Sequence, residues 1–255
     1  MKYCILFLIL NSVFLWSQDN SIMKIPFELG DTTIEIVEHW GNSRERIIFL
    51  NVHEDETTSI QTLKAYSEKD SIDYFYLHHQ ETRRLTFKLK GKKYSVDPNR
   101  IFTKKGRKKS LKDGGKYSRK ANRIVKNLAL QIVGRLPKGY TVVALHNNTD
   151  VEYSIKSYMP GGDEAQNTKS LFINEEMDPD DFIYTTDEYF FDALKTKGIN
   201  VILQDNEFFV NDGSLSVYCG KKNIPYLNIE TQKGHFNEQM DLMEIVVQLI
   251  QSRQQ

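Results

Sequence analysis

The pattern of apolar and polar residues divides the chain into short β-branched runs and longer stretches with helical spacing. Ile47-Ile48-Phe49-Leu50-Asn51-Val52 is a nearly continuous apolar run, as in a buried strand, and it ends abruptly in His53-Glu54-Asp55-Glu56. Residues 33–38 alternate, as in a half-exposed strand. Ile60, Leu63, Ala65 and Tyr66 predict a helix from Thr57 to Lys69, with Thr57 or Thr58 as its cap. A strand is predicted at 73–78, and a hairpin at 85–89 and 93–96 around Lys90-Gly91-Lys92. Residues 103–115, basic and containing glycine, predict a mobile loop. Ile124, Leu128, Leu130, Ile132 and Val133 mark a helix within 116–135, stopped by Pro137-Lys138-Gly139. A second buried strand at 141–145 ends in His146, and the polar stretch 147–181 predicts a long surface loop. A helix capped by Thr186 and ending before Gly198 follows, then a strand at 199–203 and a short helix at 214–222. The strand at 225–230 closes on Glu230, and an amphipathic helix occupies 237–251.

After an antiparallel start, strands alternate with helices. That order predicts one three-layer α/β/α domain over residues 18–255, with a mixed central sheet covered by helices on both faces. Its 255 residues are ample for a closed core. The 34 basic and 34 acidic residues balance, so the net charge gives no argument for a nucleic-acid partner. One local excess, Lys104-Lys105-Gly106-Arg107-Lys108-Lys109, reads as solvated, with an anionic contact as the alternative.

Residues 1–17 combine a basic start, an apolar core and a small residue at Ser17, which fits a secretory signal peptide. The apolar stretch is shorter than the ~20 residues of a membrane span. The expected product is exported, periplasmic or secreted, without stable membrane insertion. Cleavage would remove Cys4 and leave Cys219, read as a small buried hydrophobe.

Three strands therefore end in chemistry: His53 with Glu56, then His146, then Glu230. If those strands are central and parallel, the four groups meet at one edge of the sheet, where open α/β sheets hold ligands. Two His and one Glu, with a fourth position open to water, is the ligand set of catalytic zinc. A further carboxylate beside that water can take its proton, and Glu230 is the candidate. The plainer alternatives are a solvated acidic loop at 53–56, a hydrogen-bonded histidine at 146 and a surface carboxylate at 230.

His53-x-x-Glu56, followed by Asp97-Pro98-Asn99-Arg100-Ile101-Phe102, His146 and Glu230 in that order, resembles the zinc carboxypeptidase superfamily. The Asp-x-Asn-Arg-Ile-Phe string is most similar to its aspartoacylase and succinylglutamate desuccinylase branch. The resemblance implies zinc held by His53, Glu56 and His146, with Glu230 as general base. It implies that Asn99 and Arg100 grip a substrate carboxylate and that Asp97 orients His53. It also implies an upstream cation that polarises the scissile carbonyl, for which Arg83, Arg84, Lys92 and Lys93 are open choices. A tyrosine near the base would be Tyr218 or Tyr226, the latter with the spacing of a core residue. Glu54 stands where the family commonly has glycine and is expected to crowd the site. His235, just past the base, could touch substrate; His39, His78 and His79 read as structural.

The expected activity is that of an exported zinc hydrolase cleaving an amide beside a free carboxylate. Its substrate would be a small peptide C-terminus, a cell-wall peptide or an N-acyl amino acid. The alternative is a catalytically inactive carboxylate- or peptide-binding protein on the same fold.

Overall fold

The computed structural model describes residues 22–41, 43–149 and 153–254. The expected signal segment and Cys4 lie outside them. In chain order the elements are β1 (Ile22–Leu29), β2 (Thr32–Trp40), β3 (Ile47–Asn51), α1 (Thr57–Lys69), β4 (Asp73–His78), β5 (Leu85–Leu89), β6 (Lys92–Val96), α2 (Lys104–Asp113) and α3 (Arg119–Val133). They continue with β7 (Thr141–Asn148), β8 (Thr168–Phe172), β9 (Phe182–Thr185), α4 (Glu188–Thr196), β10 (Val201–Gln204), α5 (Leu215–Lys222), β11 (Tyr226–Gln232) and α6 (Phe236–Gln254). Nine strands form one sheet in the order β1-β2-β4-β3-β7-β11-β9-β10-β8, and β5–β6 is a separate hairpin.

At the centre β4, β3, β7 and β11 run parallel, flanked by antiparallel partners, so the sheet is mixed. Both faces of β3 and β7 are buried, which explains their unbroken apolar runs. Successive side chains on these strands feed opposite layers. Ile48, Leu50, Val142, Ala144 and Tyr226 pack with α3, α5, Leu111 of α2 and the β5–β6 hairpin. Ile47, Phe49, Val143, Leu145, Leu227 and Ile229 pack with α1, α4 and α6. The result is the expected α/β/α layering around a mixed sheet.

Four expectations are corrected. Residues 103–115 are not a loop: Lys104–Asp113 is a helix, capped by Thr103 Oγ1 accepting from the Gly106 amide at 3.1 Å. Its buried face is Gly106, Arg107, Ser110 and Leu111, so it carries almost no hydrophobic periodicity. The stretch 147–181 is not one long loop. It contains the end of β7, two 3₁₀ turns and the edge strand β8, held around Ile155, Tyr158, Phe182, Tyr184 and Ile202. Third, an edge strand, β1, stands where no element was expected: Ile25, Phe27 and Leu29 turn inward between Lys24, Pro26 and Glu28, and at an edge the strand tolerates a residue without an amide proton. Finally, two caps differ. Asp187, not Thr186, caps α4. Glu56 occupies the N-cap of α1 without a side-chain cap bond, while Thr58 accepts from the Gly234 amide at 2.9 Å. Among the described residues no helix is long and apolar enough to cross a membrane.

Candidate metal centre and substrate cavity

The turn after β3 is closed by the Glu56 amide donating to the His53 carbonyl at 3.1 Å, and it leads straight into α1. Three residues apart on that turn, His53 and Glu56 face each other. On the neighbouring parallel strands, His146 of β7 is in register with Glu230 of β11, so both side chains leave the same face of the sheet. The four groups are buried together, as the strand-end reading required.

His53, Glu56 and His146 bring one ligand atom each within 4.8 Å of the others. The Glu56 carboxylate lies astride both rings, 2.9 Å from His53 Nδ1 and 2.7 Å from His146 Nδ1. The two Nδ1 atoms are 3.3 Å apart. A tetrahedral ion with bonds of ~2.0–2.1 Å separates its ligand atoms by ~3.3 Å, the spacing of the two Nδ1 atoms, so the residues fit a small divalent ion once the Glu56 oxygens draw back slightly from the rings. His53 Nε2 faces Asp97 Oδ1 at 2.9 Å, which leaves Nδ1 for the centre. Asp97 is itself fixed, accepting from the Asn99 amide at 2.8 Å while its own amide donates to Ser110 Oγ at 2.9 Å. Asn51 donates to the Leu145 carbonyl at 3.0 Å and to Glu56 at 3.4 Å, which ties the ligand turn to β7.

The electrostatics are those of a proton held where a cation belongs. Burial opposes charging of His53, but the Glu56 carboxylate and Asp97 outweigh it and raise the ring to about 9. Burial also works against charge on Glu56, yet His146 and His53 hold it well below the usual carboxylate range. Asp97 is depressed in the same way, chiefly by His53. Glu230 moves the other way: burial raises it, and His146 offsets only part. Its Oε1 accepts from Asn228 Nδ2 at 2.9 Å.

The centre forms the floor of a cavity of about 460 Å³ whose walls include Arg83, Asn99, Arg100, Tyr153, Tyr158 and Glu230. Among the four cations left open, Arg83 is the one at the centre: its Nη1 donates to Glu56 Oε1 at 2.8 Å. Arg84 is turned away, onto Ser95 Oγ and the Ser110 carbonyl, and Lys92 and Lys93 sit in the exposed part of the hairpin. Asn99 Nδ2 approaches His146 Nε2 at 3.5 Å, and its Oδ1 accepts from the Leu215 amide at 3.1 Å. Arg100 lines the cavity with Nε 3.3 Å from Asp212 and Nη1 on the Asn99 carbonyl at 3.0 Å.

Other expectations fare differently. Glu54 does not crowd the site: it accepts from the amides of His79 at 2.6 Å and Glu81 at 2.8 Å and pairs with His78, away from the cavity. Tyr226 is a core residue, 1 % exposed, that also touches the cavity wall. Tyr218 packs on Phe102 elsewhere. Tyr153 and Tyr158, joined hydroxyl to hydroxyl, line the cavity together with Tyr184; their segment has the composition of a solvated loop, which conceals them in the sequence. His235 pairs with Asp181 at 2.9 Å and is absent from the cavity wall. His39 bonds the Ile72 carbonyl and stacks on Tyr74.

No protein-family model matches the chain, and no curated protein matches its sequence. Solved structures do. The succinylglutamate desuccinylase from Chromobacterium violaceum is similar over 91 % of this chain and 74 % of its own, at 13 % identity and a TM-score of 0.47. The murein-tripeptide amidase from Escherichia coli O157 is similar over 91 % and 94 %, at 14 % identity and a TM-score of 0.43. At these identities and TM-scores the likeness carries no argument, and the roles of individual residues are argued from their own geometry.

Proposed function

We propose that the protein is a zinc-dependent hydrolase that cleaves an amide bond beside a free carboxylate in a small peptide or N-acyl amino acid. The observation that carries this reading is the meeting of two imidazole Nδ1 atoms and a carboxylate at the floor of a cavity that also presents a raised carboxyl and two guanidinium groups. His53, Glu56 and His146 would hold the ion. When bound, it supplies Lewis acidity toward water and a carbonyl oxygen.

The chain's own residues do the rest. Glu230, raised by burial and steadied by Asn228, is the base that takes a proton from water and returns it to the leaving amine. Arg83 is placed to face the oxygen of the scissile carbonyl, where negative charge grows. Asn99 and Arg100 grip the substrate carboxylate, for which the planar guanidinium is suited. Asp97 keeps the His53 ring turned and its Nε2 proton occupied. Export through removal of residues 1–17 belongs to the same reading and favours peptide substrates; mass spectrometry of secreted protein should then find an N-terminus near Gln18.

The test is metal analysis of protein purified without chelator, followed by a panel of peptides and N-acyl amino acids with free or amidated carboxylates. Stoichiometric zinc and turnover of free-carboxylate substrates are expected. Stoichiometric metal without any turnover would leave a binding protein; absence of metal would remove the reading.

A further inference from the structure

The basic run that folds as α2 forms, together with the end of α5, a second concavity that the hydrolase reading does not use. We propose that this groove docks an acidic peptide segment carrying an apolar anchor residue. The proposal goes beyond the hydrolase reading and stands independently of it.

The groove has a volume of about 600 Å³. Phe102 and Tyr218 form its floor; Lys104, Lys105 and Lys108 rise from one side, and Lys221 and Lys222 from the other. These lysines are exposed, and no acidic residue lines the groove. Among the described residues none of the five has an ion-pair partner, whereas Lys109, on the same helix, pairs with Asp113 at 2.6 Å. Lys221 Nζ stands 5.0 Å from the centre of the Phe209 ring.

This arrangement runs against the local electrostatics of the free protein. The N-terminus of a helix is its positive end, and acidic residues are favoured there. The first turn of α2 contains no acid and begins Lys104-Lys105. Lys108 adds a like charge one turn on from Lys104. Two further cations come from another element. A local conflict of this kind marks a place where something other than stability shaped the sequence, and an anionic partner resolves it.

The frame beneath the lysines is rigid. Thr103 Oγ1 donates to Asn211 Oδ1 at 2.7 Å, and the Phe102 amide donates to the Gly213 carbonyl at 2.9 Å. Gly106 and Gly213 touch so closely that a Cβ on Gly106 would lie 2.3 Å from the Gly213 Cα. The groove is therefore formed before a partner arrives, which lowers the ordering cost of binding.

The floor favours a peptide over a nucleic acid. Stacking a base needs an open aromatic face, but Phe102 is buried, with Tyr218 packed at a tilt 6.4 Å away. An apolar side chain can rest over the exposed edge of this ring pair, while carboxylates along an extended backbone meet the lysines on both sides.

Fluorescence anisotropy on the full chain tests this, using a labelled peptide rich in Glu and Asp with one central Leu. Saturable binding that weakens as salt rises is expected. Replacing the Leu by Gly, or the acids by Lys, should abolish it. The double variant Lys105→Glu/Lys221→Glu should bind about tenfold more weakly or worse. Its Tm should stay close to wild type, since Lys105→Glu agrees with the positive end of α2 while Lys221→Glu opposes the negative end of α5; an unchanged Tm then shows that lost binding is not lost folding. Failure of the peptide to bind the wild-type chain, or unchanged binding by the double variant, would overturn the proposal. So would duplex DNA or a sulfated polysaccharide binding at least as tightly with the same sensitivity to the variant. Turnover of small carboxylate substrates, read in parallel, reports on the cavity and not on the groove.

Discussion

The metal centre and the lysine groove are both collections of charge on the same sheet scaffold, and they are built in opposite ways. In the centre every charge has a partner at 2.7–3.3 Å and almost no solvent. In the groove five cations stand in solvent without a partner among the described residues. A buried, compensated set is rigid and indifferent to salt, but removing one member leaves the others exposed to the full cost of burial. An exposed, uncompensated set tolerates substitution and responds to ionic strength over a Debye length of ~10 Å at 0.1 M. The first design suits chemistry at a fixed point; the second suits reversible contact.

The comparison breaks most sharply if the centre tolerates loss of a ligand. His53→Ala or His146→Ala should strip the metal and abolish turnover. Each should also destabilise the chelated protein by ~3–5 kcal/mol, since Glu56 loses a buried partner. Elemental analysis and denaturant melts check both; full metal in both variants would refute the ligand set. Next in size, Glu230→Gln should keep metal and fold but lower kcat by ~10²–10⁴, as steady-state kinetics at saturating substrate would show. Arg100→Met should cost ~10–100-fold in kcat/KM for a free-carboxylate substrate, the worth of a charged hydrogen bond. For the amidated analogue it should cost little, and equal losses on both would mean that Arg100 serves only its pair with Asp212.

A last effect, on stability alone, sharpens the contrast through pH. His53 is raised from 6.5 to about 9 in the folded protein without metal. Its stabilisation is therefore complete below the unfolded value and is lost as pH rises through about 9. Glu56 and Asp97 are lowered, so their stabilisation is present above the usual carboxylate range and lost as pH falls through it. Chelated protein should thus lose on the order of 2–3 kcal/mol between about pH 6.5 and 9. Zinc should remove that loss by replacing the proton on His53, with about one proton released per ion near neutral pH. Melts with and without chelator, and calorimetry in two buffers, would measure it.

How much of this could be read beforehand depended on where each residue takes its meaning. The ligand strands were legible because a strand buried on both faces must be apolar throughout, so a sudden His or Glu at its end stands out. Asp97 and Asn99 stood out through a motif; Asp97 faces His53 Nε2, and Asn99 lies beside His146 at the cavity wall. The α2 helix was hidden because its buried side is Gly106, Arg107 and Ser110, chosen for closeness to a neighbouring backbone and not for apolar area. Arg83 could not be separated from Arg84 because adjacent residues leave a loop in opposite directions, which only the packed hairpin decides. Tyr153 and Tyr158 enter the cavity through a turn between two strands, where no periodicity speaks. Glu54 misled because its role is to tie two loops together.

The pairing of His146 with Glu230 across β7 and β11 has a kinetic consequence. Their backbones are neighbours in one hydrogen-bonded ladder, ~4.8 Å apart, so the separation at which the two side chains start is set by the ladder. A one-residue slip would turn the slipped residue to the opposite face. No partly opened form of these two strands can keep the site assembled. Any opening that releases the amide protons at the ends of β7 and β11, local or global, should therefore also take the site apart, so that conditions which speed exchange there lower activity in step.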